Sequence, residues 1–193
     1  KVVEKGKGDG IFITTTGLGV LADGVTLGGD RARPGDRIIV SGTIGDHGIA
    51  ILSKRQNLEF ETEIRSDTAV LHGLAEAMLS AAPGIRVLRD PTRGGLATTL
   101  NEIAQQSRVG MILDERAIPI KPDVAAACEL LGLDALYVAN EGKMIAICPP
   151  TEADRLVTAM RRHSRGSAAA IIGEVVSDTH GMVRMLAKFG GAR

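Results

Sequence analysis

The stretch that most constrains this chain runs from Ile85 to Gln106. A short apolar run, Ile85 to Leu88, leads into the polar corner Arg89-Asp90-Pro91-Thr92-Arg93-Gly94-Gly95, and a helix-patterned run follows from Leu96 to Gln106. The succession predicts a strand, a tight turn and a helix N-terminus. Two readings of the corner stand. In one, the glycines let backbone N–H groups approach a ligand, the helix end adds partial positive charge, and Arg89 and Arg93 grip an anion while Asp90 and Thr92 orient a metal, a water or the loop. In the other it is a helix start capped by Asp90 or Thr92, with solvated arginines.

The rest of the chain supports a layered core. Of its 193 residues, 44% are hydrophobic and 24% charged, an ordinary balance for a globular protein, and the length suits one domain or a domain with a remnant of another. Phe12, Phe60, Phe189 and Tyr137 are the whole aromatic complement, so the core must be aliphatic, and base stacking on single-stranded nucleic acid is disfavoured. Lys+Arg and Asp+Glu number 23 each, leaving no net field for a polyanion. No apolar run reaches membrane-spanning length and no signal peptide opens the chain. Cys128 and Cys148 stand far apart with no CxxC pair, which fits free, buried thiols and a cytoplasmic setting. The chain begins at Lys1 without a methionine, as expected of a piece of a longer protein.

Taken in order, Lys1 to Val3 and Ile11 to Thr16 read as strands around a glycine-rich turn, and Val20 to Leu27 as the continuation of an antiparallel meander. Gly17-Leu18-Gly19-Val20-Leu21-Ala22 has the letters of a dinucleotide fingerprint, but no helix follows it, so a Rossmann reading is rejected. Arg33-Pro34-Gly35-Asp36 marks a domain boundary: residues 1–36 read as closing strands of one domain, 37–193 as a second. Arg37 to Ser41 is a buried strand entering the corner Gly42-Thr43-Ile44-Gly45-Asp46-His47-Gly48, with a helix after it and a polar loop from Arg55 to Ile64. Ser66 caps a helix whose apolar face is Val70, Leu71, Leu74, Ala77 and Met78. Val109 to Leu113 is a strand. Pro122 suits the first position of a helix closed by Gly132. Ala139-Asn140-Glu141-Gly142-Lys143 leads into the strand Met144 to Cys148, which opens a βαβ unit with a helix capped by Thr151 and a return strand from Ala169 to Val176. A hairpin-like pair, Val175 with Val183 to Leu186, closes the chain.

Three polar corners, 42–48, 89–95 and 140–143, therefore sit at strand ends, where an α/β layer gathers its loops. Glu141 is the best carboxylate for acid–base work; its alternative is a turn with a surface Glu141–Lys143 pair. His47 reads either as a catalytic group or as a hydrogen-bonded loop residue. There is no Walker loop, HExxH, GxSxG or zinc pattern. The residues alone reach a soluble α/β domain with a phosphate or nucleotide site.

The same segments resemble a known family. Lys1-Val2-Val3, Gly42 to Gly48, Arg89 to Gly95, Cys128 to Asp134, Ala139 to Lys143 and Ile172-Gly173-Glu174-Val175 match, in order, the HypE family of hydrogenase maturation factors, the carbamoyl dehydratases. These are similar to aminoimidazole ribonucleotide synthetase and selenophosphate synthetase, which bind ATP between two α/β domains. The resemblance implies an α/β (α+β) fold, a layered sheet with helices like the C-terminal domain of that superfamily, plus remnant strands of the N-terminal ATP-binding domain.

It also implies the chemistry. ATP activates the carboxamide of a C-terminal S-carbamoyl cysteine, a proton leaves the nitrogen, phosphate is expelled and a thiocyanate results, destined for the iron of a [NiFe]-hydrogenase. Carried over by motif, Glu141 is the base and Lys1 helps polarise the carboxamide. Gly45, Asp46, His47, Asp90, Thr92, Arg93, Gly94, Gly95 and Asn140 line the nucleotide cleft. ATP and magnesium are the implied cofactors, with the magnesium aspartates before Lys1. The implied partners are a carbamoyltransferase and an iron-carrying scaffold complex, with a homodimer for the full-length protein and no nucleic acid or membrane.

The family's tail cysteine has no counterpart at Gly190-Gly191-Ala192-Arg193. The expectation is that this chain alone does not perform the complete reaction. Another superfamily member, such as selenophosphate synthetase, or a non-catalytic docking module for other maturation proteins, are the alternatives.

Overall fold

A computed structural model describes residues 16–58, 63–178 and 180–188, with Gly6, Gly10 and Gly191 besides. Lys1 and the strands expected before residue 16 lie outside the described residues.

Among the described residues, six strands form one sheet: β1 (Arg37–Val40), β2 (Val87–Arg89), β3 (Gly110–Asp114), β4 (Ile145–Cys148), β5 (Ala170–Val176) and β6 (Val183–Leu186). Their order across the sheet is β2-β4-β1-β5-β3-β6. Every pairing is antiparallel except β3 with β6. The central strands are mostly apolar, with Arg37 of β1 and Glu174 of β5 as the charged exceptions, because both faces are covered. Ile38 and Val40 of β1, with Ile145 and Ile147 of β4, face one core; Ile39, Ala146 and Cys148 face the other.

The helices supply the covers. Helix α3 (Gly95–Ser107) lays Leu96, Leu100, Ile103 and Ala104 on the first face, a stripe at helical spacing. On the second face sit α2 (His72–Ala81), through Leu74 and Met78, and α5 (Pro150–Arg162), through Ala153, Leu156, Val157 and Met160. Helices α1 (Asp46–Gln56) and α4 (Pro122–Leu131) build a smaller apolar cluster from Ile49, Val124, Ala127 and Cys128. Pro122 stands at the start of α4 and Gly132 caps its end in the left-handed conformation, as their chemistry predicts.

Several expectations are corrected. Helix α2 starts at His72, not at Ser66: residues 63–71 run without helix, because their polar groups find partners across the fold, and Val70 is exposed rather than core. The polar loop after α1 begins at Asn57, since Arg55 and Gln56 still belong to the helix. Residues 20–27 form no strand; Val20 is fully exposed, with no neighbouring strand among the described residues to pair with. Thr151 does not cap α5, whose N-cap is Pro149 with no side-chain cap bond; Pro150 sets the first turn instead. The βαβ unit is split. Strands β4 and β5 run in the same direction, but β1 lies between them, Arg37 pairing Cys148 on one side and Glu174 on the other. The closing hairpin does not form. Strand β3 occupies the free edge of β5, so β6 passes outside it and pairs Val183 with Met111 in parallel.

Candidate functional site

The three polar corners meet at one rim of the sheet. The first becomes the N-terminus of α1, with Gly45 as its left-handed N-cap. The second becomes the N-terminus of α3, with Gly94 in the same role. The third is the strap from Leu136 to Lys143, which crosses both helix ends before entering β4. Its close approach dictates two glycines. A Cβ on Gly95, whose φ is 66°, would stand 2.4 Å from Leu136 O and 2.7 Å from Val138 O; one on Gly142 would stand 1.7 Å from Asp67 O. The Gly95 α-carbon is thus packed against protein backbone, not held open for a ligand.

Asn140 fastens the strap. Wholly buried, it accepts a hydrogen bond from Gly45 N at 2.8 Å and donates through Nδ2 to Pro91 O at 3.1 Å and Val138 O at 3.0 Å. Its backbone N–H donates to Pro91 O at 3.3 Å. One side chain therefore joins all three corners, and its amide is spent on protein partners. Asp46 is likewise consumed inside the fold: Thr43 Oγ1 donates to Oδ2 at 2.6 Å, and Lys121 Nζ lies 2.6 Å from Oδ1 as an ion pair without hydrogen-bond alignment.

What remains facing outward is a cavity of about 800 Å³ lined by His47, Gly48, Ile51, Leu52, Arg55, Thr92, Arg93, Ala139 and Glu141. His47, Thr92, Arg93 and Glu141 of the predicted set meet there. Gly45, Asp46 and Asn140 lie beneath it as buried support, and Asp90, Gly94 and Gly95 stand beside it without lining it. Lys1 lies outside the described residues.

The cavity's charge is mixed. Arg55 and Arg93 are exposed and have no hydrogen bond or ion pair among the described residues. Glu141 Oε1 lies 4.0 Å from His47 Nε2, and the Glu141 backbone N–H donates to Asp67 Oδ1 at 3.4 Å. Lys143 turns away and donates to Asp67 Oδ2 at 2.9 Å, so the surface Glu141–Lys143 pair does not form. In the second corner, Arg89 and Thr92 donate to the two oxygens of Asp90. Burial pushes the Asp90 carboxyl up, but the Thr92 hydrogen bond and the Arg89 charge outweigh it and hold the group below its ordinary value. Asp90 thus stays ionised and stiffens the loop.

Sequence reasoning missed three contributors. Arg55 reads as loop because the helix runs on past its apolar residues. Ser66 and Thr68 read as a helix start, yet their hydroxyls hold His47. A serine and a threonine two apart, with no helix after them, is the signal that points to such a turn.

Among the described residues, no helix is long and apolar enough to cross a membrane, and no group of three or more His, Cys, Asp or Glu side chains gathers for a metal ion.

The family defined by the C-terminal domain of AIR synthase related proteins matches residues 33–185, and the chain belongs to it. It is 65% identical over 193 residues to the carbamoyl dehydratase HypE of Cupriavidus necator, a match covering 100% of this chain and 55% of that relative. A crystal structure of a HypE–HypF complex superposes with a TM-score of 0.86 at 42% identity, covering 90% of this chain and 56% of that one. A crystal structure of HypE in complex with ATP gives 0.84 at 46% identity, covering 90% and 53%. The chain spans about half the length of the curated relatives it matches.

Proposed function

We propose that the chain forms part of an ATP-dependent carbamoyl dehydratase of [NiFe]-hydrogenase maturation, converting a C-terminal cysteine S-carboxamide to a thiocyanate that supplies the cyano ligand of the active-site iron. The observation that carries this reading is the meeting of Glu141, His47 and two arginines, Arg55 and Arg93, unpaired among the described residues, in a cavity roofed by all three polar corners. The identity to HypE of Cupriavidus necator supports the same chemistry.

The donor set suits a polyanion. Guanidinium groups without partners are free to bind phosphate oxygens bidentately, and the N-terminus of α1 adds its dipole beside them. The solved structure of a relative in complex with ATP supports a nucleotide as that polyanion. ATP supplies the phosphoryl group that makes the amide oxygen a leaving group. This chain's residues do the rest: Arg55, Arg93 and Thr92 place the phosphates, Glu141 takes the proton from the amide nitrogen, and Ile51 and Leu52 exclude water from one side. Lys1 is the proposed polarising partner. Magnesium, where it takes part, is assigned to residues outside this wall.

In this reading residues 1–36 close an N-terminal ATP-binding domain and 37–193 form the second domain, so the chain alone does not complete the reaction. The carbamoyl group comes from a carbamoyltransferase, as the HypE–HypF complex of a relative suggests, and the nitrile passes to an iron-carrying scaffold. We read the full-length protein as a homodimer acting in the cytoplasm, a setting that the free, buried thiols support.

The test is made on the full-length protein carrying an S-carbamoylated tail, with loss of one water from the tail followed by mass spectrometry. Wild type should lose it when ATP is added, and Glu141→Gln should not. A Gln variant that dehydrates at the wild-type rate overturns the assignment of the base. Tails that never dehydrate with ATP present overturn the reaction and favour a docking module or another superfamily substrate.

A further inference from the structure

The geometry points to His47 as the positioning residue for Glu141, donating its Nε2–H to Oε1 and so holding that carboxylate aimed. The inference rests on the reading of Glu141 as the base, and goes beyond it by giving the base a partner.

The ring is held from behind. His47 Nδ1 lies 2.8 Å from Ser66 Oγ and 3.3 Å from Thr68 Oγ1. Ser66 Oγ in turn accepts the backbone N–H of Thr68 at 3.2 Å and lies 2.8 Å from Thr68 Oγ1. Those contacts accommodate the tautomer that serves Glu141. Ser66 Oγ accepts the Thr68 N–H with one lone pair, and in the proposed network it donates its hydroxyl proton to Nδ1. Nδ1 then accepts, and the ring proton resides on Nε2, which faces Glu141 Oε1 at 4.0 Å. A neutral imidazole placed this way is a donor to a carboxylate, the arrangement by which a third group orients an acid–base residue. The remaining gap is about 1 Å beyond hydrogen-bond reach, and catalytic contacts in a ligand-free site commonly tighten when the cleft closes.

The placement also explains why the support is built as it is. Glu141 is 41% exposed at its side chain and receives no side-chain hydrogen bond among the described residues. Arg55 and Arg93 share its cavity and would draw the carboxylate toward themselves and away from an amide nitrogen. A fixed N–H donor close to Oε1 counters that pull. His47 is fixed because its α1 N-terminus is tied to the strap by the Gly48 N–H, which donates to Ala139 O at 3.0 Å, two residues before Glu141. Donor and base therefore move together.

The first test is spectroscopic and uses this chain. In its neutral form, His47 should show the nitrogen shift of an unprotonated Nδ1 and a protonated Nε2 in two-dimensional ¹⁵N spectra, and Ser66→Ala should erode that preference. A protonated Nδ1 in the wild-type chain overturns the inference.

The second test uses the full-length protein. His47→Leu should slow nitrile formation about tenfold to a hundredfold, the size of one charge-assisted hydrogen bond, with the KM for ATP unchanged. His47→Gln, which retains an N–H donor, should recover most of that loss. If Glu141→Gln is inactive while His47→Leu keeps the wild-type rate, this inference falls and the base assignment stands. If Glu141→Gln is fully active, the base assignment itself falls. A loss in His47→Leu that lies wholly in the KM for ATP makes His47 a nucleotide contact and also overturns the positioning role.

Discussion

The side-chain oxygen of Asn140 accepts the backbone N–H of Gly45 across 95 positions of sequence, at 2.8 Å and fully buried. Gly45 is the N-cap of α1, so its N–H has no partner within the helix. The same amide donates to Pro91 O and Val138 O. Removing it strands the Gly45 donor and the Val138 acceptor, while Pro91 O keeps the Asn140 backbone N–H. Asn140→Ala should therefore cost roughly 3 kcal/mol, since each buried group left unpaired costs about 1–3 kcal/mol. Denaturant unfolding should show a lower midpoint with an unchanged slope. A midpoint within experimental scatter of wild type would mean that the corners are held by something else. Asn140→Asp is the sharper variant: it keeps the acceptor for Gly45 but sets carboxylate lone pairs against two carbonyls, and it should destabilise as well.

Gly142 tests the strap from its other side. A methyl group there would stand 1.7 Å from Asp67 O, a backbone atom that cannot swing aside. Gly142→Ala must displace residues 63–71 or the strap, and should cost about 1–3 kcal/mol as overpacking. It should also disturb Glu141, whose backbone N–H donates to Asp67. Gly17→Ala is the comparison, with open space around its α-carbon and no positive φ. It should be neutral or stabilise slightly by restricting the unfolded chain. Equal effects of the two substitutions would remove the close approach as the reason for glycine at 142.

How far the fold could be read follows from the range of each signal. The strands β1, β4 and β5 are largely apolar runs bounded by turns, and α4 carries its own start and stop in Pro122 and Gly132, so local chemistry sufficed. Helix α2 misled because Ser66 is a good cap by type, while its hydroxyl is engaged by His47, 19 positions earlier. Strand neighbours were illegible for a similar reason: nothing local to β4 or β5 shows that β1 separates them. In the site, glycine-rich corners at strand ends were visible and do meet around one cavity. What the sequence hides is the division of labour within them. Asn140 and Asp46 look like ligand contacts by type, and only their burial shows that they serve the scaffold. Arg55 looks like a loop charge, and only the course of α1 brings it to the cavity.

Arg55 and Arg93 carry the expectation for nucleotide affinity. Both are free of partners among the described residues, so neither substitution leaves a buried group stranded, and stability should change by less than about 0.5 kcal/mol. In the full-length protein each change to alanine should weaken ATP binding about tenfold, equivalent to about 1.4 kcal/mol. Added salt should weaken wild-type binding more than binding by the double variant, because screening acts on the charges that were removed. Titration calorimetry at two ionic strengths checks both statements. Full affinity in the double variant would place the phosphates elsewhere.

Cys148 gives a prediction that needs no partner and no nucleotide. It closes β4 with no exposed surface, packed in the apolar layer with Ile39, Leu156 and Met160. Burial pushes the thiol from an ordinary 9.0 up to about 12, and the nearby charges of Asp36 and Glu152 push the same way against Arg86 and Arg155. The folded state therefore keeps a proton that the unfolded chain releases near pH 9. Its contribution to stability is fully present below pH 9 and is lost as pH rises through about 12. The slope attributable to this group is at most about 1.4 kcal/mol per pH unit. Cys148→Ala should flatten the alkaline limb of the stability profile while lowering stability at pH 7 through the cavity it leaves. The thiolate is also the nucleophile toward disulfide reagents, so at pH 8 the folded chain should react at Cys148 only as fast as it opens. Cys128, also pushed up by burial and by Asp134, should be slow for the same reason. Rapid labelling of Cys148 in the native state, or an alkaline limb unchanged by Cys148→Ala, would show that this core is not closed to water.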